Sequence, residues 1–338
     1  LKKNHNVYYT RSLDDKEIEN CDFIILPSSI IAHETELNAL YKLKNKKIFV
    51  TGIFATTKKE KYLTNNSIVV KNESDTFFYN LEKSNNLNLN FLNELFNKKE
   101  LINNFYSPVS LDDLPYPDWA NYTKKFPLRN DFFSLNKKIA IPLLGTRGCP
   151  YSCFFYCTYP LQQGRKIRAR SVENIINEIK YWKKELKTNK FVFRDPVFSI
   201  NRKHTIEFCK QVIEQKLNIN FMVETHLNNL DDEMIPLLRK AGLELVYVGV
   251  ESSNHVVLKD MKRFTVEHDK QYKVIKKCED AGIKVKTMFI IGNPEDTKDT
   301  IIQSINYAKY LPSLYSQFSV FTPYPGTPMF TDYEKKIT

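Results

Sequence analysis

From residue 139 onward, six apolar runs of strand length alternate with five helical patterns, and this alternation constrains the fold more than any single residue does. The runs lie at 139–144, 191–193, 220–223, 245–250, 285–291 and 317–321. Helical spacing predicts helices over 172–186, 203–214, 233–241, 269–281 and 300–310. The first of these places Ile175, Ile179, Trp182 and Leu186 on one face behind Ser171 as N-cap, and Gly242 and Gly282 stand where two others should stop. Runs this apolar, each followed by a helix, imply parallel strands that close or nearly close into a barrel. Functional groups then collect at the strands' C-terminal ends. The expectation for residues 137–330 is a partial (βα)6 barrel of the α/β class.

Residues 1–83 also read as βα units, with short apolar runs at 23–26, 48–50 and 68–70 and helical spacing at 36–43 and 75–81. Such strands imply a small parallel sheet covered on both faces. Residues 84–136 read as a linker: Asn-rich sequence with a short helix at 91–101, then Pro115-Tyr116-Pro117, where two prolines favour an extended connection. Residues 331–338 read as the start of a C-terminal extension. The chain begins with Leu1 rather than Met, which suggests a fragment of a longer protein.

The net charge is +11, but the lysines are scattered as pairs on helix faces and in loops, a pattern of solvated surface that argues against a nucleic-acid stripe. The longest apolar run, at 23–32, is too short and too interrupted by Pro27-Ser28-Ser29 to cross a bilayer.

Half of the six cysteines fall within nine residues, Cys149, Cys153 and Cys157, with spacing C-x3-C-x3-C directly after the first run of the barrel. Three clustered thiols suit zinc or an iron–sulfur cluster and fit poorly with a disulfide framework. They point to a reducing, cytoplasmic setting. Cys21, Cys209 and Cys278 lie in apolar surroundings and read as small buried side chains. Polar residues recur where the later runs stop: Arg194-Asp195, Glu224-Thr225-His226, Glu251-Ser252-Ser253, Gly292-Asn293-Pro294-Glu295, and Pro323-Tyr324-Pro325-Gly326-Thr327-Pro328. His226 and His255 fall near this rim, where a surface or satisfied histidine is the simpler reading.

With these residues in view, the chain resembles radical S-adenosylmethionine enzymes of the group that carries a cobalamin-binding-type domain in front. The resemblance rests on the three-cysteine loop, Pro-Tyr-Pro-Asp-Trp at 115–119, Gly-Val-Glu-Ser at 249–252 and Pro-Tyr-Pro-Gly-Thr-Pro at 323–328. Residues 1–83 resemble the second half of the cobalamin-binding domain, with Gly52-Ile53-Phe54-Ala55-Thr56 matching its last cofactor-side loop; the earlier half and the Asp-x-His-x-x-Gly lower-ligand element are absent.

The resemblance implies that Cys149, Cys153 and Cys157 ligate three irons of a 4Fe–4S cluster, leaving the fourth to S-adenosylmethionine. The family spacing is C-x3-C-x2-C, so here one extra residue separates the last two ligands, and Tyr156 is the aromatic expected beside the adenine. It further implies that Glu251 and Ser253 meet the ribose or amino acid portion, that Asp195 and Glu224 line the same cofactor site, and that Gly292 lets adenine approach bare backbone. The implied reaction is reductive cleavage of S-adenosylmethionine and action on a small-molecule or lipid-like substrate, with methyl transfer where cobalamin binds. The electrons would come from a donor such as flavodoxin or ferredoxin. The competing readings are a basic RNA-associated protein with structural zinc, an RNA-modifying methylthiotransferase-like enzyme, and a scaffold that has lost its cluster.

Overall fold

A computed structural model of the chain describes residues 5–84, 88–98, 109–126 and 140–337. They form two compact units. One takes in the N-terminal part up to Pro115, the segment Tyr156–Gly164 and the chain from Pro323; the other takes in Tyr116–Phe155 and Arg165–Thr322.

In the first unit the order is α1 (Lys16–Glu19), β1 (Phe23–Pro27), α2 (His33–Lys42), β2 (Lys47–Thr51), α3 (Ile53–Thr57), β3 (Ser67–Val70), α4 (Ser74–Lys83) and α5 (Leu89–Lys98). Strand β2 is central and pairs in parallel with β1 and β3. Successive side chains on a strand point to opposite faces. Accordingly Phe49, Ile68 and Val70 pack on Phe77, Phe78 and Leu81 of α4 and Leu92, Leu95 and Phe96 of α5. Ile48, Val50 and Val69 pack on Leu40, Phe54, Ala55 and Tyr62. This is the sheet covered on both faces that the apolar runs predict.

The stretch read as a loop at Gly52-Ile53-Phe54-Ala55-Thr56 is instead the start of α3. The Thr56 and Thr57 hydroxyls donate back to the carbonyls of Gly52 and Ile53 and close its turns. Cys21 is half-buried rather than buried, its thiol donating to the Ile18 carbonyl, whereas Cys209 and Cys278 lie fully inside.

The second unit opens with α6 (Trp119–Lys125), a helix inside the stretch read as an extended linker, placed just after the last proline that would forbid it. The chain continues through β4 (Ala140–Leu143), β5 (Thr146–Arg147), α7 (Tyr159–Gln163), β6 (Arg168–Ala169), α8 (Val172–Leu186), β7 (Lys190–Phe193), α9 (Arg202–Glu214), β8 (Asn220–Thr225) and α10 (Met234–Ala241). It ends with β9 (Leu243–Glu251), α11 (His255–Asp260), α12 (His268–Asp280), β10 (Lys284–Ile291), α13 (Lys298–Tyr310), β11 (Tyr315–Val320) and α14 (Pro328–Ile337). Of these, α7 and α14 belong with the first unit.

The large sheet has the order β11-β10-β9-β8-β7-β4, every neighbour parallel, so the strands follow one another in chain order with β4 and β11 at the edges. That is the arrangement of an unclosed (βα)6 barrel, and it sends the C-terminal ends of all six strands to one rim. The core joins Ile141, Phe191, Phe221, Val246 and Val285 of the strands to Ile175, Ile179, Trp182, Phe208, Leu238 and Ile275 of the helices.

Ser171 caps α8 as expected, its Oγ accepting from the Asn174 N–H at 3.1 Å. Ser171→Ala should lower stability by about 1 kcal/mol, measured by urea denaturation, because one N-terminal N–H of the helix loses its acceptor.

Candidate functional site

The parallel pairing of β4 with β7 sets Leu143 opposite Phe193, which brings the residues just past each strand side by side. Asp195, 1% exposed, uses this placement to hold the start of the cysteine loop. Its carboxylate accepts from the backbone N–H groups of Gly145 (3.0 Å) and Thr146 (2.5 Å) and from the Thr146 hydroxyl (2.6 Å). Burial raises its pKa, and those donors oppose the rise.

From there Thr146 and Arg147 run antiparallel to Arg168 and Ala169, so β5 and β6 form a two-stranded neck. Gly148 turns the chain out of this neck at φ +90°. A side chain there would put its Cβ 2.1 Å from the Lys166 carbonyl oxygen, so only glycine fits before Cys149.

Beyond the neck, Cys149 and Cys153 are buried and Cys157 is half-buried, and all six cysteines are free thiols. Ser152–Phe155 makes one 3-10 turn, tied down where the Ser152 hydroxyl donates to the Lys262 carbonyl at 2.7 Å and the Lys262 ammonium sits 4.0 Å over the Phe155 ring. Arg165 donates to the Pro150 carbonyl at 2.6 Å. Burial raises the pKa of the Cys149 thiol; the Tyr151 N–H, which donates to its sulfur, and the Arg263 and Arg165 guanidiniums oppose that rise, while Cys153 adds to it.

Three reduced thiols on one short loop, with an N–H donor and two cations facing the first, are a donor set suited to a soft, anionic iron–sulfur cluster. Among the described residues no three His, Cys, Asp or Glu side chains, the three cysteines included, are gathered closely enough to hold a metal ion.

The remaining rim residues follow the other strands. Glu224, near the end of β8, stands 3.5 Å from the Arg194 guanidinium. Glu251 ends β9 with φ +69°, a left-handed backbone unusual for a glutamate. The β9–β10 register jumps there from Gly249 opposite Met288 to Glu251 opposite Phe289. The extra residue, Val250, is a bulge that re-aims the Glu251 side chain. Burial raises the Glu251 pKa, and Arg263, 3.6 Å away and also donating to the Gly249 carbonyl at 2.9 Å, opposes the rise.

Ser253 donates through its backbone N–H to the Ser304 hydroxyl at 3.0 Å. Gly292 follows β10 at φ +81° with no atom within 4 Å of where a Cβ would stand, so its α-carbon faces open space. Tyr156 and Cys157 lie in the segment Tyr156–Gly164 of the first unit, and Tyr156 is half-buried. Within that unit the turn at Gly326 packs on Thr57 and Leu161.

Sequence reasoning missed Arg263. It lies between α11 and α12, follows no strand, and carries no spacing signal, yet it faces Cys149, Glu251 and His226 together.

Of the two rim histidines, His226 is buried and satisfied. Its Nδ1 accepts from the Asn228 N–H at 3.3 Å, and its ring lies 5.2 Å from that of Tyr151. His255 is exposed at the start of α11 and stacks on His268 at 5.5 Å, away from the cysteine loop in its contacts.

Burial, reinforced by Arg263, lowers the His226 pKa from 6.5 to about 4. Between those two values the folded state binds fewer protons than the unfolded chain, so stability is full above pH 6.5 and falls as pH drops toward 4. The loss should reach about 3 kcal/mol for this group. Urea midpoints measured from pH 7 to 4 should show it, and His226→Gln should flatten that part of the profile.

An unclosed parallel barrel with a thiol-bearing loop after its first strand and polar groups after the later ones defines an α/β enzyme domain built to hold a cofactor at its C-terminal rim. Residues 143–308 match the Radical SAM superfamily. An anaerobic magnesium-protoporphyrin IX monomethyl ester cyclase of Cereibacter sphaeroides is 28% identical over 331 residues, 93% of this chain and 52% of the relative. A bacteriochlorophyllide d C-8(2)-methyltransferase of Chlorobaculum tepidum is 25% identical over 305 residues, 87% of this chain and 64% of the relative. An uncharacterized methyltransferase of Pyrococcus horikoshii is 29% identical over 185 residues, 55% of this chain and 40% of the relative. The chain thus spans about half the length of such relatives.

Among solved structures, the cobalamin-dependent S-adenosylmethionine radical enzyme OxsB, with aqua-cobalamin and S-adenosylmethionine bound, superposes with a TM-score of 0.70 at 16% identity over 95% of this chain and 48% of that one. The radical S-adenosylmethionine methyltransferase TsrM of Kitasatospora setae, with cobalamin and a 4Fe–4S cluster bound, gives 0.64 at 13% identity over 90% and 60%. These share the fold. No helix among the described residues is long and apolar enough to cross a membrane.

Proposed function

We propose that the chain is the catalytic portion of a cytoplasmic radical S-adenosylmethionine enzyme acting on a small organic molecule, with Cys149, Cys153 and Cys157 as the three ligands of a 4Fe–4S cluster. The observation that carries this reading is the cysteine loop itself: free thiols on the loop after the first barrel strand, held at its base by Asp195 from the second. When bound and reduced, the cluster supplies the electron that breaks a carbon–sulfur bond of S-adenosylmethionine.

The chain's own residues bind and orient. By the family resemblance Glu251 and Ser253 would meet the amino acid or ribose portion, Glu224 would line the same cofactor site, and Tyr156 and Gly292 would be the residues for the adenine; the Gly292 α-carbon faces open space. The Asp195 carboxylate is hydrogen-bonded to Gly145 and Thr146, so its role is to position the loop. Arg263 holds Glu251 and offsets negative charge at Cys149.

Methyl transfer with cobalamin is the reaction favoured. The relatives include named methyltransferases, and the first unit supplies a parallel sheet of the kind found in front of the barrel in the cobalamin-bound structures. A flavodoxin or ferredoxin would supply the electrons. The test is anaerobic reconstitution with iron and sulfide, followed by iron analysis and an assay for 5′-deoxyadenosine with dithionite. About four irons per chain and nucleoside formation are expected; a protein that takes up no iron overturns the reading.

A further inference from the structure

The neck of the cysteine loop is held from a second side by Arg170 and Glu178. Arg170, just past β6, donates through its backbone N–H to the Gly145 carbonyl at 2.9 Å and through Nη1 to the Leu144 carbonyl at 3.2 Å. Its guanidinium is only 10% exposed and meets Glu178 of α8, 1% exposed, with Nη1 2.5 Å from Oε2. Its Nε donates to the Asn174 side-chain oxygen at 2.8 Å, and the Tyr116 ring lies 5.6 Å from the guanidinium carbon. Glu178 is fixed in turn by the Trp182 indole N–H, which donates to Oε1 at 3.1 Å, and His204 Nε2 donates to the Arg170 carbonyl at 2.8 Å.

A buried charge pair is costly unless its geometry is good and its remaining donors and acceptors are met; this one meets them by gripping the backbone at both feet of one loop. We propose that Arg170 and Glu178 are positioning residues for the cysteine loop. By joining residues 144–145 to residue 170 they close the neck before any cluster is present, so that the thiols between are presented preorganised. This rests on the proposed cluster assignment for its consequence but not for its geometry.

The planar fork of arginine is what lets one side chain reach Glu178, Asn174 and a carbonyl at once, which lysine cannot do. The informative variants are therefore Glu178→Gln, which keeps shape and removes charge, and Arg170→Lys, which keeps charge and removes the fork. Hydrogen exchange on the metal-free protein reads the neck directly: the amides of Gly145, Thr146 and Arg170 should exchange at least about tenfold faster in both variants, while those of β9 and β10 stay within about twofold of wild type.

In reconstituted protein, chelator-driven iron release should accelerate about tenfold, and the electron paramagnetic resonance signal of the reduced cluster should become heterogeneous. Asn174→Ala, which removes the oxygen that accepts from Nε and Nη2 of Arg170 but leaves the pair with Glu178, serves as the milder variant if either of the others fails to fold. Variants that lower the melting temperature yet leave neck exchange and iron release at wild-type values overturn the inference. Faster neck exchange in the variants, together with a wild-type protein that takes up no iron, would leave the staple standing and remove the cluster reading instead.

Discussion

Replacing Cys153 by alanine is expected to abolish 5′-deoxyadenosine formation while leaving the fold in place. The thiol is buried on a loop outside the main hydrophobic core, so its loss removes little apolar packing. A cubane deprived of one of three thiolates has two open irons exposed to water and chelators, so iron content should fall well below that of wild type and activity by more than roughly a hundredfold. Circular dichroism and the melting temperature should change little. Turnover within a few-fold of wild type would show that this sulfur is not a ligand.

Asp195→Ala is expected to be the most damaging change that touches no thiol. It leaves the N–H groups of Gly145 and Thr146 and the Thr146 hydroxyl without their acceptor at a site that is almost wholly buried. Each orphaned group costs about 1–3 kcal/mol, and the whole change about 3–5 kcal/mol after relaxation. Asp195→Asn keeps the volume but turns an NH2 toward donors, so it should recover only part of that loss. Urea denaturation gives the stability, and iron content after reconstitution reports whether the loop still presents its cysteines. Stability within about 0.5 kcal/mol of wild type for Asp195→Ala would show that the clamp is not holding the loop.

The elements were legible because burial period is a local property of the chain. The helix expected at 172–186 is Val172–Leu186, and the strand expected at 285–291 is Lys284–Ile291. The misread places are short: α6 and α3, where a few side chain to backbone bonds close a turn without any amphipathic stripe. The two-stranded neck of β5 and β6 escaped notice because two residues carry no alternation.

By itself, the sequence determined that parallel strands would line up in chain order and that three thiols would sit on the loop after the first of them, since apolar period and cysteine spacing are both read along the chain. Only the tertiary structure decided what holds that loop. Asp195 reaches it because β4 and β7 are register-paired, Arg170 because Glu178 waits on a facing helix, and Arg263 because two helices deliver it beside Cys149 and Glu251. Those contacts join residues far apart in the chain through packing, and packing leaves no periodic mark for a linear reading to find.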